Sequence, residues 1–140
     1  MPITREHIYS ILNSKYRHID NVNQDVCFYC GEPGDTIDHV PSLYQAYCVG
    51  LDEIERQNIQ LYLIPSCREC NSLLGARPTT DPVDRRDDLK KLLQKRYKKF
   101  LNLPDWGIEE LEELGPVMRK EVEDSMTIKT HIQRRLSWPD

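Results

Sequence analysis

The spacing of hydrophobic residues changes several times along the chain, and each change marks an expected element. Near the N-terminus, apolar residues at helical spacing predict a helix over residues 4–19 with Thr4 as its N-cap. These residues are Ile8, Ile11, Leu12, Tyr16 and Ile19. The polar stretch that follows breaks the pattern.

The middle of the chain has the pattern of short strands and tight turns. Residues 26–40 predict a hairpin whose second half, Thr36–Val40, is a strand, and Leu61–Ile64 predicts another strand. Residues 41–60 are compatible with either a loop or a short helix. A further helix is expected to begin at Asn71.

The C-terminal part is predicted to be helical. One apolar stripe marks a helix that Pro104 ends, and it consists of Leu89, Leu92, Leu93, Phe100 and Leu101. A short acidic helix is expected over residues 108–114, and a longer one from Pro116 to about Leu136. Strands in the middle and helices at both ends predict an α+β fold.

Composition narrows the class of protein. The chain has 140 residues, enough for one core, and its 39% apolar and 30% charged residues are typical of folded globular proteins. No apolar run approaches the ~18 residues that a membrane span needs. The N-terminal sequence carries charge where a signal peptide would be apolar. We therefore expect a cytoplasmic protein with no membrane partner.

Charge is unevenly distributed, although the formal net charge is only −4. Residues 84–104 hold eight basic and three acidic side chains, and Lys91, Lys95 and Lys98 share one helical face. Such a face can follow a phosphate backbone. It can equally be a solvated surface, or pair with the acidic residues 109–113 of the same chain or of a second copy in a homodimer.

Four of the five cysteines form two pairs, Cys27-x-x-Cys30 and Cys67-x-x-Cys70. Each C-x-x-C places two thiols on one turn, and two such turns complete the tetrahedral shell of a structural Zn²⁺. The alternatives are redox-active C-x-x-C motifs or buried cysteines paired by chance. Cys48 has no partner in this pattern, and we expect it to be a small buried hydrophobic residue.

Between the two cysteine pairs stands Asp38-His39, and Asn71 directly follows the second pair. With these residues in this order, the sequence resembles the zinc-containing HNH endonucleases, some of which resolve DNA junctions in phage. The similarity covers residues 26–78. It implies a ββα-metal core in which zinc frames a catalytic site.

The resemblance also implies roles for individual residues. His39 would be the general base that activates water, since an imidazole takes up a proton near neutral pH. Asp38 and Asn71 would hold a catalytic Mg²⁺ or Mn²⁺ through oxygen atoms, which hard cations prefer. Neighbours on an ideal strand point to opposite faces, so Asp38 and His39 could share a site only on a distorted strand.

Two positions depart from the family pattern. The middle asparagine of HNH sequences falls about where Tyr62 stands, and a lysine that family members often carry is replaced by Leu74. Arg77 is our candidate for a substitute phosphate contact.

These observations predict an N-terminal helix over residues 1–24, an HNH core over 25–78 and a charged helical extension over 79–140. The function expected from them is a metal-dependent endonuclease that hydrolyses phosphodiester bonds in DNA, with RNA as an alternative substrate. A different class fits the same residues: a non-catalytic zinc-scaffolded module that binds nucleic acid or a protein. A third possibility is a nuclease subunit of a larger defence assembly.

Overall fold

The chain folds around a three-stranded sheet with helices packed on its two faces. The computed structural model describes residues 4–140. Within that range lie eight helices: α1 Arg5–Ser14, α2 Leu43–Val49, α3 Leu51–Arg56, α4 Arg68–Leu74, α5 Pro82–Arg96, α6 Lys98–Leu101, α7 Ile108–Glu112 and α8 Pro116–Ser137. The α+β class predicted from the sequence is confirmed.

The strand order is β1–β3–β2, so β3 (Tyr62–Ser66) is central. It pairs in parallel with the two residues of β1 (Arg17–His18) and antiparallel with β2 (Thr36–Val40). Asp38 lies opposite Ile64, and His39 lies opposite Leu63. Both β1 and β2 are edge strands, and the candidate catalytic pair therefore stands on an edge of the sheet.

Strand β2 has the predicted bounds, whereas β3 begins one residue after the predicted Leu61 and ends two residues after the predicted Ile64. Proline is tolerated at this end because β1 stops at His18, opposite Leu63, so no residue of β1 pairs with Pro65. Its carbonyl accepts a hydrogen bond from the backbone N–H of Phe28 at 2.9 Å. This bond joins the end of β3 to the first cysteine turn.

The N-terminal helix is shorter than the hydrophobic spacing predicts. Its start is as expected, since the Thr4 side chain accepts a hydrogen bond from the backbone N–H of His7. Beyond Ser14 the backbone leaves the helix and joins the sheet: Arg17 N–H donates to Leu61 O at 2.9 Å, and Ile19 N–H donates to Leu63 O at 3.1 Å. The prediction of helix up to residue 19 is therefore wrong.

Three other boundaries differ from expectation. Helix α4 begins at Arg68, three residues before the predicted start, because Cys67 caps it. The predicted helix before Pro104 breaks at Tyr97, which separates α5 from α6. Residues 41–60, which the sequence left open, form α2 and α3.

In the described part of the chain, no helix combines the length and apolarity required to cross a bilayer.

Two hydrophobic clusters flank the sheet, because alternate residues of β3 point to opposite faces. On one face, Ile64 joins the cysteines and the buried sides of α4 and α5. On the other, Leu63 and the preceding Leu61 pack with α1, α2 and α3. The first cluster contains Cys27, Tyr29, Cys30, Val40, Ile64, Cys70, Leu74, Leu89 and Leu93; the second contains Leu12, Tyr16, Ala46, Ile54 and Leu61.

Candidate metal centre and the groove beside it

The four paired cysteines meet at one point of the structure. Their Sγ atoms all lie within 4.8 Å of one another, and those of Cys30 and Cys67 are 3.7 Å apart. Tetrahedral zinc, with Zn–S bonds of ~2.3 Å, requires sulfur–sulfur distances of about 3.8 Å. The cluster can therefore hold a structural metal ion such as zinc.

Cys48 lies outside it and is exposed, so the prediction that this thiol is buried is wrong.

Each cysteine pair is placed by local backbone geometry. The first lies on a turn closed by a hydrogen bond from Gly31 N–H to Cys27 O at 3.0 Å, and Gly31 has a φ of 82° that glycine adopts without strain. The second opens α4, where the Cys67 Sγ accepts the N–H of Cys70 at 3.5 Å and so acts as the N-cap. Cap and candidate ligand are the same atom.

The thiols perturb one another strongly. Hydrogen bonds from its three partners lower the pKa of Cys27, and hydrogen bonds within the same group raise the pKa of Cys70. Sulfur atoms in contact cannot all ionise unless a cation compensates their charge. A divalent ion would supply that compensation and replace the shared protons.

His39 is held by α1 on the second face of the sheet. Its Nε2 lies 3.0 Å from Asn13 Oδ1, and the Tyr16 ring packs edge-on against it at 4.8 Å between centroids. Because an amide oxygen only accepts, this contact places a proton on Nε2 and leaves the lone pair on Nδ1. Burial lowers the pKa of His39, and the Asp38 charge only partly opposes this. The imidazole is accordingly neutral near pH 7.

Asp38 points to the opposite face and is almost fully buried, with 4% of its surface exposed. Arg85 of α5 grips both carboxylate oxygens, with Nε 2.8 Å from Oδ2 and Nη2 3.0 Å from Oδ1. The Tyr29 hydroxyl also donates to Oδ2. Burial, followed by the Asp38 charge, raises the pKa of Tyr29, so this hydroxyl keeps its proton.

Arg85 ties this carboxylate to the segment after α4. Its Nη2 also donates to Gly75 O at 2.8 Å, and Nη1 donates to Arg77 O at 3.5 Å. Burial of the guanidinium favours its neutral form, but the contacts with Asp38 outweigh this and raise the pKa of Arg85. The residues as arranged do not fit a divalent cation, because both carboxylate oxygens of Asp38 already accept hydrogen bonds from the Arg85 guanidinium, whose positive charge would repel the ion.

Asn71 lies on the first turn of α4, against the outer edge of β2. Its Nδ2 donates to Ile37 O and to Thr36 Oγ1, each at 3.2 Å. Among residues 4–140 no hydrogen bond engages its Oδ1. A shallow groove follows this edge of the sheet. Its walls include the three predicted catalytic residues, although the Asp38 carboxylate is turned away to Arg85. The groove is lined by Ile37, Asp38, His39, Ser42, Leu43, Asn71, Gly75 and Ala76.

The basic side chains predicted to contact nucleic acid have different surroundings. Arg77 is exposed, immediately after the groove residue Ala76. Lys91, Lys95 and Lys98 are exposed too, and within the described range none of them forms an ion pair. The alternative in which this face pairs with the acidic α7 of its own chain is therefore not observed.

Sequence reasoning missed several residues that shape the site. Arg85 precedes Leu89 by four residues and so continues the apolar stripe of α5, which is a signal for burial. In the same way, Arg135 follows Ile132 by three residues on α8. Asn13 gives no comparable signal. The helical spacing predicts that Tyr16 is buried, but not that it packs against His39, which belongs to a distant segment.

Comparison with protein-family models, with curated proteins and with solved structures gives no match for this chain.

Proposed function

We propose that the chain is a zinc-scaffolded endonuclease of the HNH type that hydrolyses phosphodiester bonds in DNA, with His39 as its general base. The observation that carries the proposal is the environment of His39. Asn13 and Tyr16 fix the ring, and His39 lines a groove that is open to solvent. A neutral, oriented imidazole of this kind can take a proton from water.

The metal in the cysteine cluster would be zinc, and its role structural. All four ligands are supplied by cysteines, which leaves no open position for substrate. The ion would link the first cysteine turn to the start of α4. It would thereby hold Asn71 against β2, at one wall of the groove.

Nucleic acid would be held by charge. Arg77 lies next to the groove, and the face of Lys91, Lys95 and Lys98 offers three cations without internal partners in the described structure. Contacts of this type bind phosphates without regard to sequence and weaken as salt rises. RNA carries the same phosphates and is the alternative substrate.

The chain as arranged does not hold the catalytic Mg²⁺ or Mn²⁺ that the HNH resemblance implies. Of its two candidate ligands, Asp38 and Asn71, the first has both carboxylate oxygens engaged by Arg85. No step of the proposed reaction passes through such a cation. His39 activates water, and Arg77 contacts the phosphate.

The ion pair between Asp38 and Arg85 favours a second candidate. A carboxylate whose oxygens both accept bonds from a buried guanidinium holds β2 to α5, which is a structural role. In that case the chain would be a zinc-scaffolded module that binds nucleic acid or a protein without cleaving it. A nuclease subunit that a partner protein activates would show the same structure in isolation.

The test is nicking of supercoiled plasmid by the zinc-loaded protein with Mg²⁺, with Mn²⁺ or with chelator. Wild type is compared with His39→Ala and with the control His18→Ala, which removes an exposed imidazole from β1. We expect cleavage by wild type and the control only. Cleavage by His39→Ala would refute the assigned base. Plasmid binding without cleavage by folded wild type would favour the binding module.

A further inference from the structure

The C-terminal end of α8 lies directly on the cysteine cluster. Arg135 is buried there, with 5% of its surface exposed. Its Nη2 is 3.8 Å from the Sγ of Cys70, and its Nη1 forms a 2.6 Å ion pair with Glu69. A cation from the far end of the chain thus contacts one of the four sulfur atoms.

Trp138 covers the other cysteine turn. Its indole Nε1–H donates to Phe28 O at 3.0 Å. Its ring lies so close to Gly31 that a Cβ at that position would approach Trp138 Cε3 to 2.6 Å. One residue further along this turn, Glu32 forms a 2.8 Å contact with His131 of α8. The two turns of the cluster are therefore both overlaid by the same helix end.

We propose that the last turn of α8 completes the metal site, with Arg135 compensating thiolate charge and Trp138 covering the turn of Cys27 and Cys30, so that these residues control how fast zinc leaves. The proposal rests on the zinc assigned above to the cysteine cluster. It concerns retention of the ion and does not depend on nuclease activity.

The charges support this role for Arg135. Four thiolates around a divalent ion leave a net negative charge in a buried place, and burying such a charge is costly unless it is paired. Glu69 does not cancel the compensation, because it is shared with a second cation: Arg96 Nε lies 3.1 Å from its other oxygen. Two guanidinium groups thus share one carboxylate, and one of them, that of Arg135, also contacts a sulfur atom.

Access explains the role of Trp138. Zinc leaves a thiolate site when a proton or a chelator reaches sulfur. The hydrogen bond from Arg135 to Cys70 Sγ makes that sulfur less basic. The indole of Trp138, which lies over Gly31, covers the backbone of the first cysteine turn. Loss of either contact opens a route to the ion without removing a ligand.

The experiment measures transfer of zinc from the full-length protein to the chromogenic chelator 4-(2-pyridylazo)resorcinol, after zinc content has been determined by elemental analysis. Arg135→Met keeps the apolar stem but removes the charge and its donors. Arg134→Met is the matched control, because Arg134 is the exposed neighbour on the same helix turn. We expect release about tenfold faster from Arg135→Met and unchanged from the control.

Release at the wild-type rate from folded Arg135→Met would overturn the proposal. Should circular dichroism show that this variant is unfolded, Trp138→Ala decides, since it leaves the charge pairs of Arg135 in place. Faster release from Trp138→Ala supports the proposal, and an unchanged rate overturns it. A wild-type chain that binds no zinc would remove both the zinc site and this inference, whereas bound zinc with equal rates would remove the inference alone.

Discussion

Replacing Arg85 by methionine is expected to destabilise the protein more than any surface substitution. The change removes both bonds to the Asp38 carboxylate and the bond to Gly75 O. It leaves Asp38 buried beside Tyr29, with no cation to balance its charge. The carboxylate must then remain charged in an apolar place or take up a proton, and both are unfavourable.

The magnitude follows from the burial of both partners. The side chains of Arg85 and Asp38 are 1% and 4% exposed, so solvent screens their interaction little. Removing one member of such a pair costs about 3–5 kcal/mol, a large part of the ~5–15 kcal/mol that stabilises a domain. The midpoint of thermal unfolding should fall by roughly 10 °C.

The assay is urea unfolding of the zinc-saturated protein, followed by tryptophan fluorescence. Lys91→Met is the control, because it makes the same kind of change at an exposed position of α5 and should shift the free energy of unfolding by less than about 0.5 kcal/mol. Combining Arg85→Met with Asp38→Leu should cost less than the sum of the two single changes. A loss below about 1 kcal/mol for Arg85→Met would refute the reasoning that this ion pair holds β2 to α5.

Three further predictions concern the metal, the nucleic acid and the base. Cys67→Ser should lower the zinc content from about one ion per chain, measured by elemental analysis, and unchanged content would contradict a four-cysteine site. Asn13→Ala should slow plasmid nicking by roughly tenfold with little change in zinc content; an unaltered rate would mean that His39 needs no orienting partner. Charge reversal on the basic face of α5 should reduce the slope of log affinity against log salt by about 3, while Lys120→Glu on α8 leaves the slope unchanged, and an equal slope in all variants would assign that face to solvation. The reversed residues are Lys91, Lys95 and Lys98.

The sequence predicts what depends on neighbouring residues. The bounds of β2, Thr36–Val40, are predicted correctly, because the turn residues Pro33-Gly34-Asp35 mark where the strand begins. The metal cluster is predicted equally well, because a C-x-x-C turn fixes two thiols locally. That the two cysteine turns lie side by side, by contrast, depends on the tertiary fold.

The N-terminal segment shows where periodicity misleads. Leu12 and Tyr16 are both buried, as helical spacing predicts, yet Tyr16 lies beyond the end of α1. The apolar spacing continues past Ser14 because the side chains there are still buried. The backbone, however, stops forming helical hydrogen bonds and pairs with β3. Hydrophobic spacing therefore predicts which side chains are buried. It does not predict where the helix ends, because that depends on a strand more than 40 residues away.

The candidate site shows the same limit for polar residues. Asp38 and His39 are neighbours in sequence, but their partners are Arg85, 47 residues after the first, and Asn13, 26 residues before the second. Strand β2 pairs regularly along its whole length, so the distortion expected from the HNH resemblance is absent from it. Asp38 and His39 therefore lie on opposite faces of the sheet, and each has its hydrogen-bond partner on its own face.

The double use of one sulfur atom links metal binding to helix formation. Cys67 Sγ caps α4 and is also a candidate ligand, so an ion at the cluster would fix the conformation at which that helix begins. Forming the first turn is the costly step of making a helix, and a seven-residue helix has little propensity to form alone. Metal uptake would therefore act as the nucleation event for α4. Because this helix carries Asn71, one wall of the groove would form when the ion binds, and it would lose its structure when the ion is removed.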